Sequence, residues 1–361
     1  MAKSHLRRLD WKLAGAAVAL SLIGLLSLYS SSLTGGDFAS LQKQIGFLFV
    51  GIFLMLGFSL LDWRVLKNDP YFILLLYVLG VVALIGVLLF APEIRGVRGW
   101  YRVFGLSVDP REFLKIVLVL LMAKYFSARH IELYRIRHIL LSAFYFLVPM
   151  VLIFLQPDLG VTMLLGVLWL TTLLVSGIRL RHFLALIFVG LIAASLGWGF
   201  LLHDYQKDRI MGFVAPEVDP LGIGWSQQQS KIAIGSGGLL GKGIGEGTQT
   251  QYGFLSEPKT DFIFAAIAEE FGLAGVLAVF VLFIVLVLQI LRIGIEAKNN
   301  FARLVSAGMA TLFIAEFGIN VGMNLGLLPI IGLPLPFVSY GGSALLMNFV
   351  GLGILQSIQT H

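Results

Sequence analysis

The sequence contains no cysteine, which removes disulfides, thiolate nucleophiles, iron–sulfur clusters and cysteine zinc sites together. Charge is scarce as well. The 26 Lys and Arg with 20 Asp and Glu make up 13% of 361 residues, against about 25% in an ordinary soluble domain. The six histidines, at 5, 130, 138, 182, 203 and 361, include no two placed three or four apart, so no helical His pair is available to a metal. Prolines number only 11 and the 41 glycines follow no period, which excludes a collagen-like chain. What is present in excess is apolar side chain, 58% of residues with 12% aromatic. A soluble fold has no interior large enough for this, and a disordered chain would not carry it. A soluble enzyme is therefore excluded, and an all-α polytopic membrane protein remains.

Apolar runs long enough to cross about 30 Å of hydrocarbon lie near 12–32, 41–61, 70–91, 111–127, 138–155, 160–177, 183–201, 262–291, 301–325 and 340–358. They predict ten transmembrane helices in a single domain, 1–361. The first run follows Lys3, Arg7, Arg8 and Lys12, but Ser30-Ser31-Ser32 offers no small-x-small cleavage pattern, so it is expected to stay as an anchor. The net charge of +6 then becomes a question of sidedness and not of nucleic acid. With the N-terminus inside, Arg64, Lys67, Arg129, Arg135, Arg137, Arg179, Arg181, Arg292 and Lys298 all fall on inner segments. Outer segments 33–40, 156–159 and 326–339 hold no cation. The positive-inside rule then predicts that both termini are cytoplasmic. Two outer segments depart from the pattern: 92–110 with Arg95, Arg98 and Arg102, and the long loop 202–261 with Lys207, Arg209, Lys231, Lys242 and Lys259. Long loops cross regardless of charge, but cations retained on a short outer segment point to an anionic ligand.

Several outer motifs have both a plain and a functional reading. Asp109-Pro110-Arg111-Glu112 opens the fourth run as a capping box, and Lys115 stands three residues after Glu112 on the same face, either as a self-neutralising pair or as an intramembrane functional charge. Trp100 fits an interfacial belt. Loop 202–261 is too long for a simple connection, and its glycines between 235 and 247 either make tight turns or offer amides to an anion. Stretch 225–234 reads as a short helix on the outer surface. Asp261 stands at the mouth of the eighth run, where a helix cap is its plainest role. The run of 30 residues that follows, 262–291, would be about 45 Å long as a helix, so it must tilt or project, and Glu269 and Glu270 in it need polar neighbours. Glu316, Asn320 and Asn324 form one polar stripe, serving either hydrogen bonds between helices or a cavity lining. Pro329, Pro334 and Pro336 forbid a continuous helix after it, which predicts irregular backbone buried against protein or facing a cavity.

Read together, these motifs resemble the SEDS family (shape, elongation, division, sporulation). The matching blocks are Phe154-Leu-Gln-Pro-Asp-Leu-Gly160, His203-Asp-Tyr-Gln206, Asp219-Pro-Leu-Gly222 and Gln229-Ser-Lys-Ile-Ala-Ile-Gly-Ser-Gly-Gly238. They continue with Gly241-Lys-Gly243, Gly247-Thr-Gln-Thr-Gln251, Thr260-Asp-Phe-Ile-Phe264, Glu269-Glu270 and Pro334-Leu-Pro-Phe-Val-Ser-Tyr-Gly-Gly-Ser343. The Ile-Gly-Ser-Gly-Gly and Gly-Thr-Gln-Thr-Gln forms are closer to the elongation branch than to the division branch. The resemblance implies a peptidoglycan glycosyltransferase that polymerises lipid II on the outer face of the bacterial cytoplasmic membrane. It also implies work beside a class B penicillin-binding transpeptidase within the elongation machinery. By the same resemblance Asp261 is the essential acid, and the family's Trp, Glu and Lys fall on Trp100, Glu112 and Lys115. Where the family commonly has Arg, Arg, Ser and His, this chain has Gly99, Ser107, Arg111 and Lys259. The expected substrate-binding set is Arg98, Trp100, Arg102, Glu112, Lys115, Lys231, Lys242 and Ser343, with the 235–247 amides beside the diphosphate. A divalent cation, Mg or Mn, is expected at the diphosphate, without an organic cofactor and without a dedicated metal cage. The competing readings are a lipid II flippase and a non-catalytic scaffold for a transpeptidase.

Overall fold

The computed structural model describes residues 8–33, 36–69, 71–92, 99–103, 105–128, 136–200, 202, 204–215 and 223–361. The elements begin with α1 (Trp11–Leu33), α2 (Ala39–Leu60), the short α3 (Arg64–Asn68) and α4 (Phe72–Phe90). A two-stranded hairpin follows, β1 (Tyr101–Val103) with β2 (Leu106–Val108), antiparallel with Arg102 opposite Ser107. Next come α5 (Pro110–Ser127), α6 (Ile136–Phe154), α7 (Leu159–Val175), α8 (Leu180–Phe200), α9 (Asp204–Val214), α10 (Ile223–Ser236) and α11 (Thr248–Gln251). The chain ends with α12 (Ile263–Glu296), α13 (Asn300–Asn324) and α14 (Gly342–Thr360). Each of the ten apolar runs is thus a helix. Eight of them (α1, α2, α4, α6, α8, α12, α13 and α14) are long and apolar enough to cross a membrane, and α7 is a shorter apolar helix. The chain is a polytopic membrane protein.

α5 carries Arg111, Glu112, Lys115 and Lys124, yet it lies at the centre of the bundle, packed against α4, α13 and α14, with Leu114 through Ala123 buried. Its charges are tolerated because they meet protein and not lipid. At the other extreme α8 has nearly every side chain exposed and touches little beyond α7, as a helix bathed in acyl chains can. α14 lies along α2, and α1 and α13 flank α12.

α12 resolves the excess length anticipated from sequence. Its 34 residues break at Gly272, whose φ of 63° and ψ of −160° are open to glycine and barred to side chains. The loop after α10 fills the break. Lys242 and Gly243 donate their amides to the carbonyls of Glu269 and Glu270, and the carbonyls of Gly238 and Leu239 accept from Leu273 and Ala274. The backbone groups freed at the break are thereby paired. The proline segment 328–341 is irregular and deeply packed, with Leu333, Leu335, Phe337 and Val338 buried, which is the buried-backbone arrangement its prolines called for.

Candidate functional site

The site is built on the short turn that leads into α12. Thr260 and Phe262 both donate their amides to the Glu257 carbonyl, closing residues 257–262 into a tight knot. Three successive carbonyls of that knot are then held from outside. Lys259 O accepts from the Tyr340 amide at 2.9 Å, Thr260 O from Ser339 Oγ at 2.7 Å, and Asp261 O from Asn324 Nδ2 at 2.9 Å and Asn320 Nδ2 at 3.2 Å. Asn320 also donates to Leu333 O, and Asn324 Oδ1 accepts from the Ala265 amide. The two asparagines of the α13 stripe therefore serve hydrogen bonds to neighbouring segments, and together they fix the Asp261 backbone. Buried donors with satisfied partners of this kind rigidify what they hold.

With its backbone pinned, the Asp261 side chain is left for other work. The N-cap of α12 is Phe262, with no side-chain cap hydrogen bond, so the plain capping role does not apply. The carboxyl lies beside Gly332 and among Glu257, Arg209 and Asp158. Burial, and then the Glu257 carboxylate, push it from the ordinary 3.8 up to about 6, with Arg209 opposing. An acid so placed is ionised at neutral pH yet far more basic than a free aspartate.

Asp158 links this carboxyl to the start of α5. It caps α7 by accepting from the Val161 amide at 3.0 Å and ion-pairs with Arg111. Arg111 also engages Asp109 Oδ2 at 2.6 Å and lies 5.1 Å from the centre of the Trp100 ring, a cation–π distance. Its guanidinium fills the space that a side chain at Gly99 would enter. Asp109 caps α5 by accepting from the Arg111 amide, with Pro110 at the first helical position. Its own amide donates to Ser343 Oγ at 3.0 Å, and Ser343 donates in turn to Ser107 O at 3.2 Å. Trp100, Arg111 and Ser343 thus sit in one cluster that reaches Asp261 through Asp158. Sequence reasoning did not single out Asp158 or Glu257, although Asp158 lies within a quoted motif.

The other expected residues are placed differently. Glu112 and Lys115 do pair, at 2.7 Å, but Lys115 is only 2% exposed and also ion-pairs with Glu316 of α13. Its charge is neutralised inside the bundle. Lys242 is bound to Glu269 at 2.8 Å and to Thr248 Oγ1. Glu269 further accepts from the amides of Gln249 and Thr250 and from the Thr250 hydroxyl. Glu270 accepts from Ser30 Oγ and Gln251 Nε2. This corrects the expectation that the glycine-rich loop offers its amides to a substrate anion. The amides of Lys242, Gly243 and Gly245 are bonded to the carbonyls of Glu269 and Glu270 and to Ser30 Oγ. The loop's backbone is bound mainly to the protein's own backbone at the break in α12. α10 also departs from a helix resting on the surface, since Gln227, Gln229, Ser230 and Ala233 are buried. Gln227 donates to Leu328 O and Ser230 to Asn324 O. Lys231 projects outward beside Gly326, and Arg102 is exposed on the hairpin. Arg98 lies outside the described residues.

The FtsW/RodA/SpoVE group, described as cell cycle proteins, matches residues 7–361. The chain is 38% identical over 347 residues to the peptidoglycan glycosyltransferase MrdB of Escherichia coli K12, covering 95% of this chain and 92% of that one. A solved structure described as coordinating polymerisation and crosslinking in a peptidoglycan synthase complex superposes with a TM-score of 0.82 at 28% identity, over 97% of both chains. The crystal structure of the Thermus thermophilus rod shape determining protein RodA gives 0.73 at 28% identity, over 97% of this chain and 96% of that one. This chain belongs to the SEDS family, the FtsW/RodA/SpoVE group of membrane proteins.

Proposed function

We propose that the protein is a peptidoglycan glycosyltransferase that polymerises lipid II into glycan strands on the outer face of the bacterial cytoplasmic membrane, in cell elongation. The observation that carries the reading is Asp261: a carboxyl raised to about 6 on a backbone fixed by four external donors. Glycan polymerisation needs a base that removes a proton from a sugar hydroxyl at neutral pH, and general-base help contributes about 10²–10⁴ in rate. Asp261 accepts the proton of the GlcNAc 4-hydroxyl on the acceptor. That oxygen bonds to C1 of the donor MurNAc, and the C1–O bond to undecaprenyl diphosphate breaks with inversion. The diphosphate leaves as the anion. The exposed Arg102 and Lys231, with Arg98 from the sequence of segment 92–110, are candidate cations for it, while Arg111 holds Asp158 and lies over the Trp100 ring.

Among the described residues no three His, Asp or Glu side chains converge as a resident metal would require. A Mg or Mn ion would be carried by the substrate diphosphate, where it would neutralise the leaving group. Read as ten crossings with both termini cytoplasmic, the topology drawn from the charge segregation, the chain carries Asp261 on the outer side. The partner is a class B penicillin-binding transpeptidase, a reading supported by the family's occurrence in a complex that couples polymerisation to crosslinking.

Purified protein with labelled lipid II, with and without the transpeptidase, tests the reading. Glycan ladders that disappear in Asp261→Asn are expected. Their absence from the wild type under both conditions would leave the flippase or the scaffold.

A further inference from the structure

α5 begins at the Asp109–Arg111–Asp158 cluster beside Asp261 and ends at the opposite, cation-rich face of the bundle, where α6 starts. A cavity of about 210 Å³ opens there, lined by Tyr125, Arg137, His138 and Leu141. A water's share of liquid volume is about 30 Å³, so the space holds a phosphate group with the first atoms of its ester arms. None of its residues takes part in the chemistry described above.

The polar wall is built rather than incidental. His138 is 9% exposed and its Nδ1 lies 2.8 Å from the Tyr125 hydroxyl. Tyr125 packs on Tyr145 at 6.4 Å between ring centres, and Tyr145 meets Tyr77 edge-on at 5.6 Å. Arg137 is exposed and has no carboxylate partner among the described residues. Arg137 and His138 both lie in the first turn of α6, whose amides and dipole favour an anion. Beyond the mouth the wall becomes apolar. Leu140, Leu141 and Phe144 are 64%, 40% and 59% exposed, as side chains against acyl chains are. The cavity therefore offers a cation and hydrogen-bonding groups at one end and a greasy flank at the other. A soluble phosphate would use only the first half, whereas an amphiphile uses both.

We propose that this cavity binds the phosphodiester of an anionic glycerophospholipid. Arg137 pairs with the phosphate, the Tyr125–His138 couple hydrogen-bonds to it, and the acyl chains lie along Leu140, Leu141 and Phe144. Basic pockets between transmembrane helices at a membrane face recognise lipid head groups by this chemistry.

The full chain, purified in neutral detergent and stripped of lipid, is titrated with phosphatidylglycerol, phosphatidylcholine and inorganic phosphate, and bound lipid is counted by native mass spectrometry. Phosphatidylglycerol should be retained in preference to phosphatidylcholine. Arg137→Gln should weaken that retention by about fivefold and Arg137→Lys by less, with the melting temperature of the lipid-free protein unchanged. Arg303→Gln, at an exposed arginine of the same face outside the cavity, should leave retention as in the wild type. Equal losses from the Arg137 and Arg303 changes would reduce the effect to general surface charge and overturn the site. Equal retention of the two lipids, or displacement of phosphatidylglycerol by inorganic phosphate, would overturn the lipid assignment.

Discussion

Asp261 and Glu269 are two acids at the same end of α12, and their surroundings are opposite. Glu269 is fully buried and accepts from Lys242, from the hydroxyls of Thr248 and Thr250, and from the amides of Gln249 and Thr250. Asp261 is partly accessible and has Glu257 and Asp158 for neighbours, with Arg209 as the opposing charge. Five donors converge on the Glu269 carboxylate, whereas four of those around Asp261 hold the backbone carbonyls of residues 259–261 and its side chain takes a hydrogen bond from Thr260. An acid saturated with donors holds structure together; an acid left among like charges retains its affinity for a proton.

The sharpest way to break this comparison is Asp261→Asn. Polymerisation of lipid II should fall by about 10²–10⁴ or more, read from glycan ladders. Folding raises the proton affinity of this carboxyl, so its contribution to stability is present below the ordinary 3.8 and lost as pH rises through about 6. At pH 7 the ionised side chain is a cost. The Asn variant should therefore unfold at no lower temperature than the wild type, and an inactive variant that also melted early would reduce Asp261 to a structural acid.

Lys115→Met tests the opposite kind of site. It leaves Glu112 and Glu316 facing one another in the bundle without their shared cation, and removing one partner from a buried ionic cluster costs about 3–5 kcal/mol. The melting temperature should drop sharply, and Glu316→Gln in the same chain should recover part of the loss. An unchanged melting temperature would show that Lys115 is held for substrate and not for the fold.

Much of this contrast was legible in the sequence, and the limits have physical causes. Length and hydropathy located the helices, because about 20 apolar residues are what a bilayer demands. The spacing of Glu316, Asn320 and Asn324 showed one stripe, but not that two of its amides would grip the Asp261 carbonyl. That contact joins residues 59 and 63 positions apart. The glycines of 235–247 misled for a related reason. They do allow close backbone approach, and what approaches is the broken turn of α12 at Gly272, a partner that local pattern cannot reveal. Arg111 was visible only as a departure from the family pattern. Its meaning as the cation between Asp109 and Asp158 required the fold.

Glu269→Gln probes the saturated acid directly. A neutral amide cannot accept from all the donors that surround the carboxylate, and leaving buried donors unpaired costs about 1–3 kcal/mol. Hydrogen exchange should quicken at residues 242–251 while the rest of the bundle is unaffected. The pH profile probes the other acid. Below about 6 the polymerisation rate should decline with falling pH as Asp261 takes up its proton, about tenfold per unit for a single essential base. A flat profile down to pH 5 would remove the raised base from the mechanism.

The smallest effect is expected at Ser343, and it separates two roles that the sequence could not. The resemblance made Ser343 a substrate-binding residue, whereas its hydroxyl here ties the entrance of α5 to α14 by accepting from the Asp109 amide and donating to Ser107 O. Ser343→Ala should then cost about 1 kcal/mol, the ordinary value of one such hydrogen bond, and lower the melting temperature slightly. Because Asp109 holds Arg111, and Arg111 holds Asp158, a slackened tie should reach Asp261 as a modest fall in kcat with KM for lipid II unchanged. A raised KM with unaltered melting would instead place the hydroxyl on the substrate, and the boundary between the structural and the chemical regions would move from Asp158 to the first turn of α14.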